Sequence, residues 1–431
     1  MSSAAHDSSG SGTITDGFEL IDPGPYGESE QPHALWTRLR RESPVHPCHP
    51  AGYEPFWAIT KHADICEISK QPDLYSSAPG IVVTTEEQTR MRESGEGLGA
   101  MRVIIEMDPP EHRDFRKVSS AWFTPRAVKH LDEAIERSAR HLVDQLADRA
   151  SGGEGECDFA TEIAAMHPLR ILSTILGVPR EQEPDILRLT NQLFGADDPD
   201  LQREGEDRNE AIKQLGLELY QLFAAIVEDR RAKPRDDLAS VLANGKVDGE
   251  LMGPMETFGY YLITFTAGHD TTKNSLVGGM RALVQNPEQW AKMKRRPELI
   301  PGAVEEIVRW TTPVNYMKRT ATRDTRLRGQ SIREGDAVML CYASANRDEE
   351  VFDDPFGFRI DRDPNRHLGF GIGEHFCLGA NLARRSQAAL FRELTSRLES
   401  AELAGDPVPI RSSFVVGLKH LPLRYRIAAR A

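Results

Sequence analysis

Residues 370–380 read Phe370-Gly-Ile-Gly-Glu-His-Phe-Cys377-Leu-Gly-Ala380, and no other stretch says as much about the fold. Two glycines before the cysteine and one two places after it describe a tight, irregular loop that opens a helix. Glycine lets the backbone adopt positive φ and approach a flat object closely. The helix that follows, Leu378–Leu398, places leucine at 378, 382, 390, 394 and 398, multiples of four that mark one buried face. Cys377 then sits at a helix N-terminus, where backbone N–H groups and the dipole favour a thiolate. A thiolate on a glycine loop beside a flat partner is what a haem iron takes as its axial ligand. A lone cysteine is more often buried and structural. Here the fuller pattern FxxGxxxCxGxxxA is met at Phe370, Gly373, Cys377, Gly379 and Ala383, five fixed residues over fourteen positions, which makes chance improbable.

Upstream, the pattern turns helical after Asp108-Pro-Pro110. Helical spacing is plain in Leu131–Leu146, Leu215–Val227 and Met255–Val284, with breaks at Gly177-Val-Pro179 and Ala232-Lys-Pro234. The segment Pro254–Gln285 would span about 48 Å as a helix. Its middle, Phe258–Ala267, is apolar on nearly every side, so the helix is expected to be buried all round, with Pro287 ending it. Strand-like runs are Phe56–Thr60, Arg333–Tyr342 and Phe414–Tyr425. Residues 80–100 read as a long irregular loop, a lid or a disordered segment, and residues 1–17 as a disordered tail. The expected fold is mainly α with a minor β component, a single large domain over 18–431 built on a long buried central helix.

Composition narrows the function classes. The 431 residues carry 53 basic and 66 acidic side chains, a net charge of −13 that excludes the basic balance of a general nucleic-acid binder. Five cysteines, odd in number and without a CxxC pair, argue against a disulfide framework and against a structural zinc site. The longest stretch free of Asp, Glu, Lys and Arg is Thr257–His269, well short of the roughly 20 apolar residues of a membrane span. The first residues lack an apolar core of the secretory kind, and the expected location is the cytoplasm. No internal repeat appears.

Over residues 18–431 the chain resembles the bacterial cytochromes P-450, haem-thiolate monooxygenases. Four motifs in the family's order carry the resemblance: Ala267-Gly-His-Asp-Thr-Thr272, Glu306-Ile-Val-Arg309, Phe358–Arg362 followed by Pro364-Asn-Arg-His-Leu-Gly-Phe370, and the Cys377 loop. The wording AGHDTT, RWTTPVNYMKRTA and SANRDEEVFDDP is similar to the terpineol-hydroxylating branch. The resemblance implies a b-type haem with Cys377 on the iron and with Ala267, Phe370 and Gly379 against the haem. His112 and Arg116, four apart on one helix face, would hold the propionates together with Arg319 and His375. Thr271 would hydrogen-bond the bound oxygen and Asp270 would relay protons, with an Arg as its partner between turnovers. A Thr271 bond back to the Ala267 carbonyl is expected to distort the helix locally. Glu306, Arg309 and Arg362 would form a buried ion triad that pins the Cys loop.

The segments that line the substrate pocket in this family are 80–105, the region near Phe194, Leu262, Ile263 and Thr266, Val314–Met317 and Phe414–Val416. They are largely apolar here, which suits a small monoterpenoid or alkylbenzene. Arg90, Arg92 and Arg102 are the place where an anion anchor could sit. The chain has no flavin motif, so electrons would come from a 2Fe–2S ferredoxin with its NADH-dependent reductase. Arg113, Arg116, Lys117, Arg126 and Lys129, with Arg384, Arg385 and Arg392, form a basic cluster suited to steering that acidic partner. Two other readings compete: a peroxygenase using hydrogen peroxide, and a haem-binding sensor without turnover. The Asp270-Thr271 pair argues against both.

Overall fold

In the computed structural model, which describes residues 14–28, 31–94, 103–194, 198–202 and 208–428, Pro254–Gln285 forms one unbroken helix of 32 residues. Pro254 occupies its first turn, and the Glu256 carboxylate accepts from the Gly253 N–H at 2.8 Å. Asn286 closes it, and Pro287 starts the next helix, Pro287–Arg295. Phe258, Tyr260, Tyr261, Leu262, Phe265, Leu276, Val277, Met280 and Leu283 are all buried. Burial is not complete all round, however: Ile263, Thr264, Ala267, Gly268 and Thr271 form a lighter-packed face, and that face bounds the cavity described below.

Against this helix pack Met166–Leu176, Arg208–Ala232, Ile300–Thr311 and Ala380–Arg397, with Asp132–Arg149 packed on Met166–Leu176 and Ala380–Arg397, and Glu111–Ser120 joined to the central helix through Tyr260. The breaks read at Gly177 and Ala232 fall where helices end; Gly177, at φ 69, closes Met166–Leu176 in the left-handed region. To one side lies a five-stranded sheet in the order Val45–Cys48, Phe56–Ile59, Ala337–Cys341, Tyr316–Ala321, Tyr75–Ser76. Its pairs are antiparallel except Ala337–Cys341 against Phe56–Ile59. The run Arg333–Tyr342 is strand only from Ala337, because Gly335 turns at φ 87. Phe414–Tyr425 likewise resolves into Leu418–His420 and Pro422–Ile427, leaving Phe414 and Val415 free to face the interior. The fold is mainly α with a minor β part. No helix among the described residues is long and apolar enough to cross a membrane.

Two sequence expectations need correction. Of the tail expected over 1–17, residues 1–13 lie outside the described residues, but 14–17 are docked. The Thr15 carbonyl lies 3.0 Å from His46 Nε2, and Gly17 at φ 95 passes so close to Cys48 that a Cβ would come within 2.5 Å of it. Within the irregular stretch 80–100, residues 95–100 lie outside the described residues, but Glu86–Glu93 is a helix. Thr85 and Gln88 form a reciprocal capping box at its start. That signal was present in the sequence. The helix escaped notice because its side chains are nearly all polar and show no apolar stripe.

Candidate functional site

Cys377 is held by the loop that precedes Ala380–Arg397. Its N–H donates to the Phe370 carbonyl at 2.9 Å, closing residues 370–377 into a ring. Gly371 and Gly373 have φ of 67 and 77. At Gly373 a Cβ would stand 2.2 Å from the Ser69 carbonyl oxygen, so the loop needs glycine to pass the helix His62–Ser69. Gly379 differs: its φ is −83, and a Cβ there would meet nothing within 4 Å. The space beside it is open. Burial pushes the Cys377 thiol up, opposed by the Gly379 N–H and by the charges of Arg116 and Arg384. Arg384 lies 4.5 Å over the Phe370 ring while its guanidinium forks onto Glu305 at 2.7 and 2.9 Å.

This loop forms one wall of a cavity of about 300 Å³, and the central helix forms the facing wall. Of the pocket residues expected on that helix, Ile263 lines the cavity, whereas Leu262 and Thr266 turn into the core. A helix advances 100° per residue, so the face is set as 263, 264, 267, 268 and 271. Thr264 therefore takes the place expected of Thr266. Val314, Met317, Phe414 and Val415 line the cavity as expected. Asn315, Tyr316 and Val416 do not: Asn315 donates to Tyr26 Oη and the Ser413 carbonyl, while Tyr316 and Val416 are buried in the core. The side chain of Phe194 lies outside the described residues. Ile81, Ile104, Ile171 and Leu172 are among the other apolar side chains of the lining. Of these, only Ile81 and Ile104 lay in a segment singled out from sequence.

The four basic residues assigned to the propionates meet at the rim of this cavity. The His112 and His375 rings lie 4.3 Å apart. Arg319, buried, donates to the Lys318 carbonyl, and Arg116 donates to the Phe376 carbonyl at 2.6 Å. Neither arginine forms an ion pair among the described residues. Burial, then the positive charges of Arg319, His112 and Arg116, hold the His375 ring down to about 2. Burial and Arg116 lower His112 as well, and burial lowers Arg319. A cluster of buried, mutually repelling basic groups beside open space fits a group with two carboxylates. Ser77 and Asp108 were not foreseen here. Ser77 Oγ is 3.1 Å from His375 Nε2, and the Ser77 N–H donates to Asp108 at 2.7 Å.

Thr271 Oγ1 lines the cavity and donates to the Ala267 carbonyl at 2.7 Å. The helix stays α-helical through this bond, contrary to the expected distortion. Thr264 and Thr266 make the same bond to Tyr260 and Leu262 without breaking it. Asp270, one residue earlier, is not part of the cavity wall and is buried on another side of the helix. The expected Arg partner is replaced by Lys273, whose Nζ is 4.0 Å from Asp270 Oδ1. Oδ2 of Asp270 and Nδ1 of His269 lie 3.4 Å apart, each without a hydrogen-bond partner.

Behind the loop, Glu306 accepts from Arg309 at 2.7 Å through both oxygens, from Arg362 at 3.1 and 3.3 Å, from the Arg359 N–H and from Asn365. The ion triad is present, with Asn365 as an unforeseen fourth side chain. The basic cluster assigned to an electron donor is thinner than its sequence suggests. Arg113 pairs with Glu374, Lys117 with Asp114, Arg384 with Glu305 and Arg385 with Asp132, and Arg116 lines the cavity. Arg126, Lys129 and Arg392 are exposed and form no ion pair among the described residues. Phe376, beside the cysteine, is 39% exposed.

A sequence model of the family described as Cytochrome P450 matches residues 26–296 and 289–425. Among curated proteins, the chain is 42% identical over 415 residues to "Cytochrome P450-terp" from a Pseudomonas species, covering 94% of this chain and 96% of that protein. It is 35% identical over 406 residues to "Linalool 8-monooxygenase" from Pseudomonas putida, covering 94% and 97%. The crystal structure of CYP108D1 from Novosphingobium aromaticivorans superposes with a TM-score of 0.87 at 38% identity, covering 96% of this chain and 98% of that one.

Proposed function

The chain belongs to the cytochrome P450 family and is a monooxygenase, and on that footing we propose that it hydroxylates a compact, mainly apolar molecule of the monoterpenoid or alkylbenzene class. In this reading Cys377 holds the iron of a b-type haem, a 2Fe–2S ferredoxin with an NADH-dependent reductase supplies two electrons, and the enzyme works in the cytoplasm. The carrying observation is that Cys377, four basic side chains and the Ala267–Thr271 turn bound the same cavity. The likeness to terpene-named relatives adds weight to the substrate class.

The haem, when bound, supplies dioxygen activation and transfer of one oxygen atom to the substrate. The rest falls to the chain's own residues. Cys377 would ligate through Sγ as thiolate, with the Gly379 N–H and the Arg116 and Arg384 charges favouring the ionised form. Arg116, Arg319, His112 and His375 would hold the propionates, and Ala267, Phe370 and Gly379 would leave room for the flat ring. The Thr271 proton is committed to Ala267, so its lone pairs would be left to accept a hydrogen bond in the cavity. Asp270, with Oδ2 unpartnered, would pass protons along the helix from its own side. The exposed Arg126, Lys129 and Arg392 with Phe376 would meet the acidic ferredoxin.

The Thr271→Ala variant is expected to keep consuming NADH while product per NADH falls by about 10-fold or more and hydrogen peroxide rises. Unchanged coupling would remove Thr271 from proton handling.

Substrate class has its own test. An anion would need a cation in the pocket, because a buried unpaired carboxylate is costly. Arg92 is neutralised by Glu106 at 2.9 Å, Arg90 is exposed, and Arg102 lies outside the described residues. Terpineol and cymene should therefore shift the haem spin state and dodecanoate should not. A response to dodecanoate alone would overturn the substrate class and leave the haem chemistry intact.

A further inference from the structure

We propose that Thr264 makes the pocket selective for substrates bearing a hydroxyl group, which donates its hydrogen bond to Thr264 Oγ1. The proposal rests on the reading that the substrate is compact and neutral. Thr264 lies on the cavity face of the central helix, seven residues and so about 10 Å along the axis from Thr271. Apolar side chains, among them Ile81, Ile105, Leu172, Ile263 and Met317, make up most of the cavity wall.

The polarity of the Thr264 hydroxyl is fixed by its own helix. Oγ1 donates to the Tyr260 carbonyl at 2.7 Å. A hydroxyl has one proton and two lone pairs, so what remains for the cavity is an acceptor. Thr271 is oriented the same way by Ala267. The Tyr260 ring also reaches the cavity, but its hydroxyl is turned to the helix Glu111–Ser120, where it meets Ser119 Oγ at 2.6 Å and donates to the Phe115 carbonyl. The other polar groups of the lining are Arg116, Arg319, His112 and His375 of the propionate cradle, and Thr272, Ser275, Tyr342, Ser386 and Gln387, none of which lies within two helical turns of Thr264 on its own helix. At Thr264 an alcohol can pair, whereas a ketone or ether oxygen placed there brings a second acceptor to an acceptor and gains no hydrogen bond.

The test uses the haem-loaded enzyme, with dissociation constants taken from the spin-state shift and from calorimetry. The probes are terpineol, its methyl ether and cymene. Thr264→Val removes the acceptor at nearly constant volume, and Thr264→Ser keeps it. Wild type should bind terpineol more tightly than the ether. The terpineol-to-cymene preference should fall roughly 10-fold in Thr264→Val, the size expected for one buried hydroxyl left unpaired, and return in Thr264→Ser. Equal binding of alcohol and ether by wild type, or a preference unchanged in Thr264→Val, overturns the role of Thr264 alone. No binding of any of the three to an enzyme with normal haem content overturns the substrate class as well.

Discussion

Cys377→Ser should give an enzyme whose ferrous carbonyl complex lacks the long-wavelength band of thiolate ligation and whose turnover with dioxygen is lost. The serine oxygen keeps the size and the hydrogen bonds of the site, so the loop should fold as before. The Cys377 N–H bond to Phe370 and the left-handed glycines 371 and 373 involve only backbone. What disappears is the soft, electron-donating sulfur that favours O–O cleavage. In the apoprotein the substitution should abolish labelling at this position. In wild type, Cys377 is opposed by burial but favoured by Gly379, Arg116 and Arg384, and slow labelling by a small thiol reagent should report it. Of the other cysteines, Cys48, Cys157 and Cys341 are buried, with thiols pushed up to about 12 or beyond, and the half-buried Cys66, also pushed up by burial, is replaced by serine in the labelled protein. An unchanged carbonyl spectrum in Cys377→Ser would mean that another residue holds the iron.

The parts of the site that depend on backbone shape were legible in the sequence. A glycine that must pass the Ser69 carbonyl, or a Pro at the start of the 32-residue helix, leaves a local mark that survives without tertiary information. The phase of that helix was harder. Leu262 and Thr266 are as plausible on paper as Ile263 and Thr264, because a helix apolar on nearly all sides does not announce which face is left open. Asp270 went the same way: its neighbour Thr271 reaches the cavity, and one step of 100° turns Asp270 elsewhere. Charge partners were least legible. Arg384 and Arg385 look like free surface charge until the fold brings Glu305 and Asp132 to them from 79 and 253 residues away. Counting charges along a chain gives net charge, not the field at a surface.

The largest stability effect should come from Glu306. Its carboxylate is fully buried and is the only one in ion-pair contact with Arg309 and Arg362 among the described residues. A third guanidinium, Arg347, is also buried, lying 4.4 Å from the Trp310 ring and donating to the Arg309 and Trp310 carbonyls. Glu306→Leu therefore leaves three buried cations facing one another without an anion. Breaking a buried pair by removing one member costs about 3–5 kcal/mol, and the repulsion among the three places this variant at the upper end. Arg362→Met should cost less, because Glu306 keeps Arg309, the Arg359 N–H and Asn365. The carbonyls of Asp353 and Asp354 that lose Arg362 are the residual penalty, since Gly357 still accepts from Arg309. Urea midpoints of the haem-free proteins would rank the two without interference from cofactor loss. The holo forms should then show the same order in haem retention, since Asn365 ties Glu306 to the segment that leads into the Cys377 loop. Equal midpoints for Glu306→Leu and wild type would show that the carbonyls alone hold the arginines and that the carboxylate is dispensable.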